Sequence, residues 1–586
     1  MNAERLLAHY EKIADAPDAI ERLRRFIVSL AVRGKLVAQD PKDEPASSLL
    51  NKIASLRTSK VAMGEVRPPK KLLKQEVSSK LFAIPHSWSW VFANDLWDFE
   101  NGDRSKNYPS RDQFVDSGIP FINAGHLVGG RVDLTSMNYI STSKFNQLGG
   151  GKLRRGDQLY CLRGSLGKHA LFLHEGEAAI ASSLVILRPI NHAIVPFLSR
   201  YLDSDVAQAM LERFDNGSAQ PNLSSANLRN YEVPLPPLAE QHRIVAKVDE
   251  LMALCDQLEK SRTAREETRD RLTAASLARL NDAGHETFQA DARFALDALP
   301  SMTVRPDQIK ALRQTILNLA ISGRLTSQWR TANPQHEGEA EQLVRALEGA
   351  HEQLGGHRRG NAASATEGAH DLDSQTLPSS WRLTELKSAV HPTRPITYGI
   401  LMPGPDTPGG VPYIRVADFP GDKLNLGSIK RTTREIEQKY ARARLSVGDI
   451  LLSIRGTVGR TCLVPAALSD ANITQDTARL SLQEVLDRDF VLIALRAPAT
   501  QARLQKCSKG VAVRGINIGD VRATQLPVPP LAEQREIVAR VDELMAICDR
   551  LATNLAAAAD TCRRLLDALL AEALAPAKDR ELEAAA

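Results

Sequence analysis

The stretches of this sequence that could do chemistry are few, and each is incomplete. The run RGSLGKH, Arg163–His169, combines two glycines with a lysine, the ingredients of a turn that cradles phosphate with backbone N–H groups. That cradle needs the spacing GxxxxGK followed by Ser or Thr. Here the glycines are three apart and Lys168 is followed by His169, so the run reads as a tight turn between strands. A second run, RGTVGRT from Arg455, supports the same reading. Pro17-Asp18 and Asp40-Pro41-Lys42 loosely fit the PD…DxK carboxylates of a metal-dependent nuclease, but the matching place later in the chain holds Gln328-Trp329-Arg330. A base-flipping adenine methyltransferase would carry an Asn/Asp-Pro-Pro-aromatic loop for the extruded amino group, and neither NPP nor DPP occurs. The 13 histidines form no HExxH, and the six cysteines form no CxxC pair. Cys255 and Cys548 fall in helical patterns, where a cysteine is a small core residue. The sequence offers no catalytic site and no metal site.

The totals set further bounds. A chain of 586 residues is long for one core and implies several structural units. Its 43% hydrophobic, 25% charged and 5% aromatic composition is that of a soluble globular protein. No apolar run is long enough for a membrane span, and the start, MNAERLLAHYEKIADAPD, is no secretory signal. Scattered cysteines fit a reducing cytoplasm. A net charge of +5 is too mild to announce a polyanionic partner.

The elements that would position any site come in duplicate. PPLAEQHRIVAKVDELMALCD begins at Pro236 and PPLAEQREIVARVDELMAICD at Pro529, identical at 17 of 21 positions. PDAIERLRRFIVSLAVRGKL from Pro17 answers PDQIKALRQTILNLAISGRL from Pro306. IPHSWSW at Ile84 answers LPSSWRL at Leu377, GIPFINAGHL at Gly118 answers GVPYIRVADF at Gly410, and GDQLYCLRGSLGKHAL at Gly156 answers GDILLSIRGTVGRTCL at Gly448. The order is the same in both halves and the offset stays between 289 and 293 residues, so one ancestral unit is used twice in tandem.

Each unit reads in three parts: a helical lead (1–80 and 303–354), a mixed α/β middle (81–237 and 377–530), and a long helix (238–280 and 531–575). Residues 281–302 read as a connector, 355–376 as a flexible linker and 576–586 as a tail. In the second long helix Ile537, Val541, Leu544, Cys548, Leu551 and Leu555 alternate by four and three, a heptad seam that runs on to Leu569. The first shares it at Ile244, Val248, Leu251, Cys255 and Leu258, then carries Arg262, Arg265 and Arg269. Two matching helices most economically pack on each other as an antiparallel pair; the alternative is that each covers its own middle domain. A seam of this length spans roughly 48 Å.

The helical parts match closely and the middles only at short anchors, which suggests one scaffold carrying two different readers. The charge differs too: Lys plus Arg against Asp plus Glu is 14 to 15 in residues 81–237 and 21 to 13 in 377–530. Two variable domains alternating with two near-identical helices, each domain ending in PLPPLAEQ or PVPPLAEQ followed by IV and VDEL, resemble the specificity subunit of a type I restriction–modification system. The stretch LAVRGKLVAQDPKDEPASSLL resembles the subgroup with a helical N-terminal extension. The resemblance implies two target recognition domains, each reading half of a split DNA site. It implies that the helices form an antiparallel coiled coil that sets the gap and docks two methyltransferase subunits, with restriction subunits outside. It further implies a non-catalytic, cytoplasmic chain, with S-adenosylmethionine, ATP and magnesium on the partner subunits. The rival reading is a coiled-coil scaffold that binds proteins and no DNA.

Base readout uses Arg, Lys, Asn and Gln on loops, with further polar groups on phosphates. In the first reader the candidates are Arg104, Lys106, Asn107, Arg111, Asn123, His126, Arg163 and Lys168. In the second they are Arg394, Thr397, Tyr398, Arg415, Asp418, Arg455, Arg460, Lys509 and Arg514.

Overall fold

The computed structural model describes residues 18–70, 72, 81–215, 222–282, 287–354, 377–421, 423–509 and 514–574. The 355–376 linker and the 576–586 tail lie outside them. The fold is mixed helix and sheet in two compact units, residues 1–264 with 559–586, and residues 265–558. The division falls inside both long helices, Leu238–Asp282 and Leu531–Leu574.

The first unit starts from two lead helices, Ala19–Val32 and Ala46–Ala62. Ile20, Leu23, Ile27, Ala31 and Val32 recur at helical spacing and are buried. The helix stops at Gly34 (φ +69°), where the Gly34 N–H returns to Ala31 O (3.3 Å) and the Lys35 N–H to Leu30 O (2.9 Å). The reader enters through strand Ser89–Phe92 and leaves through Glu232–Leu235, which pair antiparallel. Between them a six-stranded sheet runs in the order Trp97–Asn101, Leu184–Pro189, Gln158–Cys161, His169–Leu171, Gly130–Val132, Leu127–Val128. A four-stranded sheet built on Ile119–Ile122 lies alongside it in sequence.

The second unit repeats this plan. Its lead helix Pro306–Ile321 ends at Gly323 (φ +71°) with the same pair of returns, to Ala320 O and Leu319 O. Arg382–Glu385 pairs with Gln525–Val528 as entry and exit. Four strands follow in the matching order Thr397–Tyr398, Thr477–Leu480, Ile450–Ser453, Thr461–Leu463. The 281–302 stretch, expected as a plain connector, contains a helix, Phe288–Met302, whose Ala295 and Met302 pack on Leu277 and Leu280 of the first long helix.

The repeated PPLAEQ has a structural job in both units. Its prolines end the exit strand, its glutamate accepts from the tryptophan of the entry loop, and its glutamine closes back on the first proline. Trp88 Nε1 donates to Glu240 Oε2 at 3.0 Å, and Trp381 Nε1 to Glu533 Oε2 at 2.9 Å. Gln241 Nε2 and Gln534 Nε2 each donate to the first proline carbonyl, Pro236 O and Pro529 O, at 2.9 Å.

The named seam residues pack into the core of their own unit, the second of the two readings that the sequence left open. Ile244, Val248 and Cys255 are buried in a core that also holds Leu23, Trp88, Phe197 and Val233, and Leu251 and Leu258 lie partly buried against it. Ile537, Val541 and Cys548 likewise join Ile316, Trp381, Phe490 and Val528, with Leu544, Leu551 and Leu555 at its edge. The apolar stripe serves the reader and lead of its own unit, because those elements present buried apolar faces to it directly. At about 1.5–3 kcal/mol per buried aliphatic side chain this packing outweighs the ion pairs around it, which are worth up to about 1 kcal/mol each when exposed. Those pairs nonetheless repeat: Arg24 reaches Asp256 (2.7 Å) and Glu259 (3.0 Å), and Arg313 reaches Asp549 (2.5 Å). Each lead also holds the other long helix: Arg22 pairs with Asp567, and Arg305 with Glu266 (2.9 Å) and Asp270 (2.5 Å).

Candidate nucleic-acid interface

In each reader three loops meet at one end of the main sheet. The first follows Gly102 or Gly399, glycines because a Cβ there would collide with the carbonyl of Ala181 or Ile473. The second follows the short strands Ala179–Ile180 and Asn472–Ile473. The third is the glycine turn at Arg163–Lys168 or Arg455–Arg460, whose glycines have φ between +72° and +96°.

Backbone hydrogen bonds lock the three together in the same way twice. Leu162 N donates to Ser183 O (2.8 Å) and Ile454 N to Asp476 O (2.8 Å). Leu223 N donates to Leu162 O (3.0 Å) and Ile516 N to Ile454 O (2.9 Å), which brings a fourth segment beside the turn. Arg163 thereby bridges Asn222, and Arg455 bridges Gly515. Gly456 N also donates to Arg514 O (2.9 Å), while Lys509 and Gly515 exchange two backbone bonds of 2.9 Å.

This assembly brings some of the expected residues together. Arg104, which donates to Ser182 O (3.2 Å), and Arg163 are exposed on adjoining loops of the first reader. Arg455, Lys509 and Arg514 are exposed and adjoining in the second, with Tyr398 exposed at the end of the neighbouring strand. Lys106 and Arg111 are exposed, and Arg460 is half-buried.

Other candidates are occupied in holding the fold. His126 is buried, its Nδ1 accepts the Asn123 N–H (3.0 Å), and burial lowers its pKa. Asn123 caps the following turn through Gly125 N (2.8 Å), Asn107 donates to Gln147 O (2.9 Å), and Lys168 to Ala124 O (2.9 Å). Arg394 pairs with the buried Asp449 (2.9 Å), whose other oxygen takes the Ser481 hydroxyl (2.6 Å). Asp418 is fully buried under Arg415 (2.6 Å) and accepts from Ser428 Oγ (2.8 Å). Thr397 is buried in its strand. His126, Arg394, Thr397, Arg415 and Asp418 are therefore framework residues, because their polar atoms already have partners or face inward.

Two features escaped the sequence reading. Arg479, fully buried, donates only to carbonyls in the contacts seen: Arg442 O (2.8 Å), Arg444 O (3.1 Å) and Pro395 O (3.1 Å). Burial pushes its pKa down to about 10, so it stays cationic at neutral pH and adds to the basic balance of the second reader. Gln475 sits between the first and second loops: its backbone N–H donates to Ile400 O (3.0 Å), and one orientation of its side-chain amide sets the nitrogen 2.6 Å from Ile400 O and 3.1 Å from Leu401 O. The only signal for it is a polar residue two positions after a two-residue strand. Among the described residues no group of three or more His, Cys, Asp or Glu could hold a metal ion, and no helix is long and apolar enough to cross a membrane.

The model of the type I restriction modification DNA specificity domain matches residues 85–266 and 405–559, more than half of the chain. The chain belongs to the type I specificity subunits. Among curated relatives, the EcoEI specificity subunit of Escherichia coli is 28% identical over 581 residues, covering 95% of this chain and 94% of that one. The EcoAI specificity subunit, also of Escherichia coli, is 25% identical over 565 residues, covering 94% and 93%. The solved HsdS subunit from Thermoanaerobacter tengcongensis is 20% identical, covers 85% of this chain and 99% of that one, and aligns with a TM-score of 0.41. Within this specificity subunit the first match opens at the Trp88 loop and takes in the whole first reader. The second opens at residue 405, leaving out Trp381 and the loop after Gly399.

Proposed function

We propose that this chain is the DNA-reading subunit of a type I restriction–modification complex, and that each reader contacts one half of a bipartite site. One observation carries the reading: two different sets of exposed side chains stand on the same four-segment frame. A frame held by backbone bonds fixes loop positions, so the side chains are left to choose bases. The exposed Arg104 and Arg163, and Arg455, Lys509 and Arg514, are of the types that reach base edges and phosphates.

On this reading the two long helices, 45 and 44 residues and each roughly 67 Å long, set the gap between half-sites as an antiparallel pair and dock two modification subunits. Restriction subunits join outside them. The chain itself carries out no chemistry. S-adenosylmethionine, ATP and magnesium belong to its partners, and the complex works in the cytoplasm.

The test is base-resolved methylation of the host genome with and without this gene. A split motif with a fixed gap that loses methylation on deletion supports the role. An unchanged methylome in a host where the modification subunit is expressed favours a protein-binding scaffold.

A further inference from the structure

The loop after Gly399 ends in a feature that the basic face around it does not explain. Met402 is 82% exposed, the most exposed of the large apolar side chains among the described residues, and Leu401 beside it is 49% exposed. Their backbone is held on both sides. The Gln475 backbone N–H donates to Ile400 O at 3.0 Å, Gly399 fits only because it lacks a Cβ, and Thr432 Oγ1 donates to Pro403 O at 2.7 Å. Gly404, at φ +72°, turns the chain away immediately afterwards. A held loop that leaves two apolar side chains in water forgoes the burial they would gain elsewhere.

The surroundings are cationic. The Arg442 guanidinium stands 5.9 Å from the centroid of the Tyr398 ring, Lys430 and Arg431 are exposed on the strand that carries Thr432, and Arg455 follows the Ile454–Asp476 bond. In the first reader the residues after the equivalent glycine are Asp103, Arg104 and Ser105. There Asp103 turns inward to accept the N–H groups of Ser105 and Gly149, both at 2.7 Å. The same loop is thus cationic and polar in one reader and apolar in the other.

We propose that Leu401 and Met402 read the 5-methyl group of a thymine in the half-site of the second reader. Resting on the DNA-reading function above, this names the chemistry of one contact. The thymine methyl is the one apolar group that base pairs present at the major-groove edge. The flanking cations supply the phosphate attraction that brings the tip to it.

The test uses the complete modification complex on duplexes carrying the motif found by methylation mapping, with each thymine of the second half-site replaced in turn by uracil. One replacement should weaken binding by about fourfold, the worth of one buried methyl. Met402→Ala should weaken binding to the thymine duplex by a similar factor and abolish the difference between thymine and uracil there. Met402→Leu should keep that difference. Uracil in the first half-site should affect parent and variant alike. A second half-site without any A·T pair overturns the proposal, as does a loss on Met402→Ala that is equal on thymine and uracil DNA. Should the parent complex show no sequence-specific binding, it is the DNA-reading function itself that fails.

Discussion

An arginine on a turn and an arginine over a carboxylate are the same letter in a sequence, and the interface turns on telling them apart. Arg163 and Arg455 stand exposed on the glycine turns, while Arg394 and Arg415 are spent on Asp449 and Asp418. Arg455→Ala should therefore relax one position of the second half-site by about 1–3 kcal/mol of discrimination and leave the first unchanged. Arg163→Ala should do the converse. Methylome sequencing of each variant reads both half-sites, and a change in the wrong half-site counts against the assignment. Asp418→Ala should instead lower the melting temperature, since it removes the buried acceptor shared by Arg415 and the Ser428 hydroxyl. Residue type and loop context pointed to turns that carry exposed arginines, but they could not show that His126 and Asp418 face inward. That depends on neighbours such as Ser428 and Asn123, whose roles a linear pattern does not display.

At the scale of elements the most informative contact joins the entry tryptophan to the glutamate of the long helix. The repeat made both residues visible twice, yet 152 positions separate Trp88 from Glu240 and hid their pairing. Surroundings differ between the copies. Glu240 accepts from Trp88 and Gln39, and burial raises its pKa above 4.5 against the weaker pull of those bonds. A carboxyl raised in the folded state favours folding at low pH, and that advantage is lost as pH rises through its folded pKa. Glu240→Gln should therefore gain stability relative to the parent between about pH 4 and pH 7. Glu533 also holds Arg330 and the Thr326 hydroxyl (2.6 Å), so Glu533→Gln should lose roughly 3 kcal/mol at neutral pH by leaving that guanidinium unpaired. Chemical denaturation at the two pH values checks both. The helix stops beneath these contacts are matched more closely. A Cβ on Gly34 or Gly323 would lie 2.6 Å from Pro85 or Pro378, at φ +69° and +71°. Gly34→Ala and Gly323→Ala should each cost more than about 1 kcal/mol, and by similar amounts.

For the molecule as a whole, the duplication was legible because helix and turn residues repeat almost letter for letter. The seam alone could not choose between its two packings, because a heptad stripe fits a partner helix and a sheet-backed core equally well. What matters for function is that each reader begins and ends on one short antiparallel ladder, Ser89–Phe92 with Glu232–Leu235 and Arg382–Glu385 with Gln525–Val528. Both junctions of a reader are thus side by side, and the tryptophan, glutamate and glutamine that receive them are the same in both units. A graft that puts residues 382–528 in place of 89–235 keeps each strand pairing and leaves Trp88, Gln39 and Glu240 in place. The hybrid should fold with a melting temperature near that of the parent and assemble with the same partners. Its methylation motif should lose the first half-site and show the second half-site twice, in inverted orientation around an unchanged gap. Methylome sequencing of cells carrying the hybrid decides it. A directly repeated motif would reject the antiparallel pairing proposed for the long helices. A changed gap would reject the assignment of spacing to the long helices, which the graft does not touch.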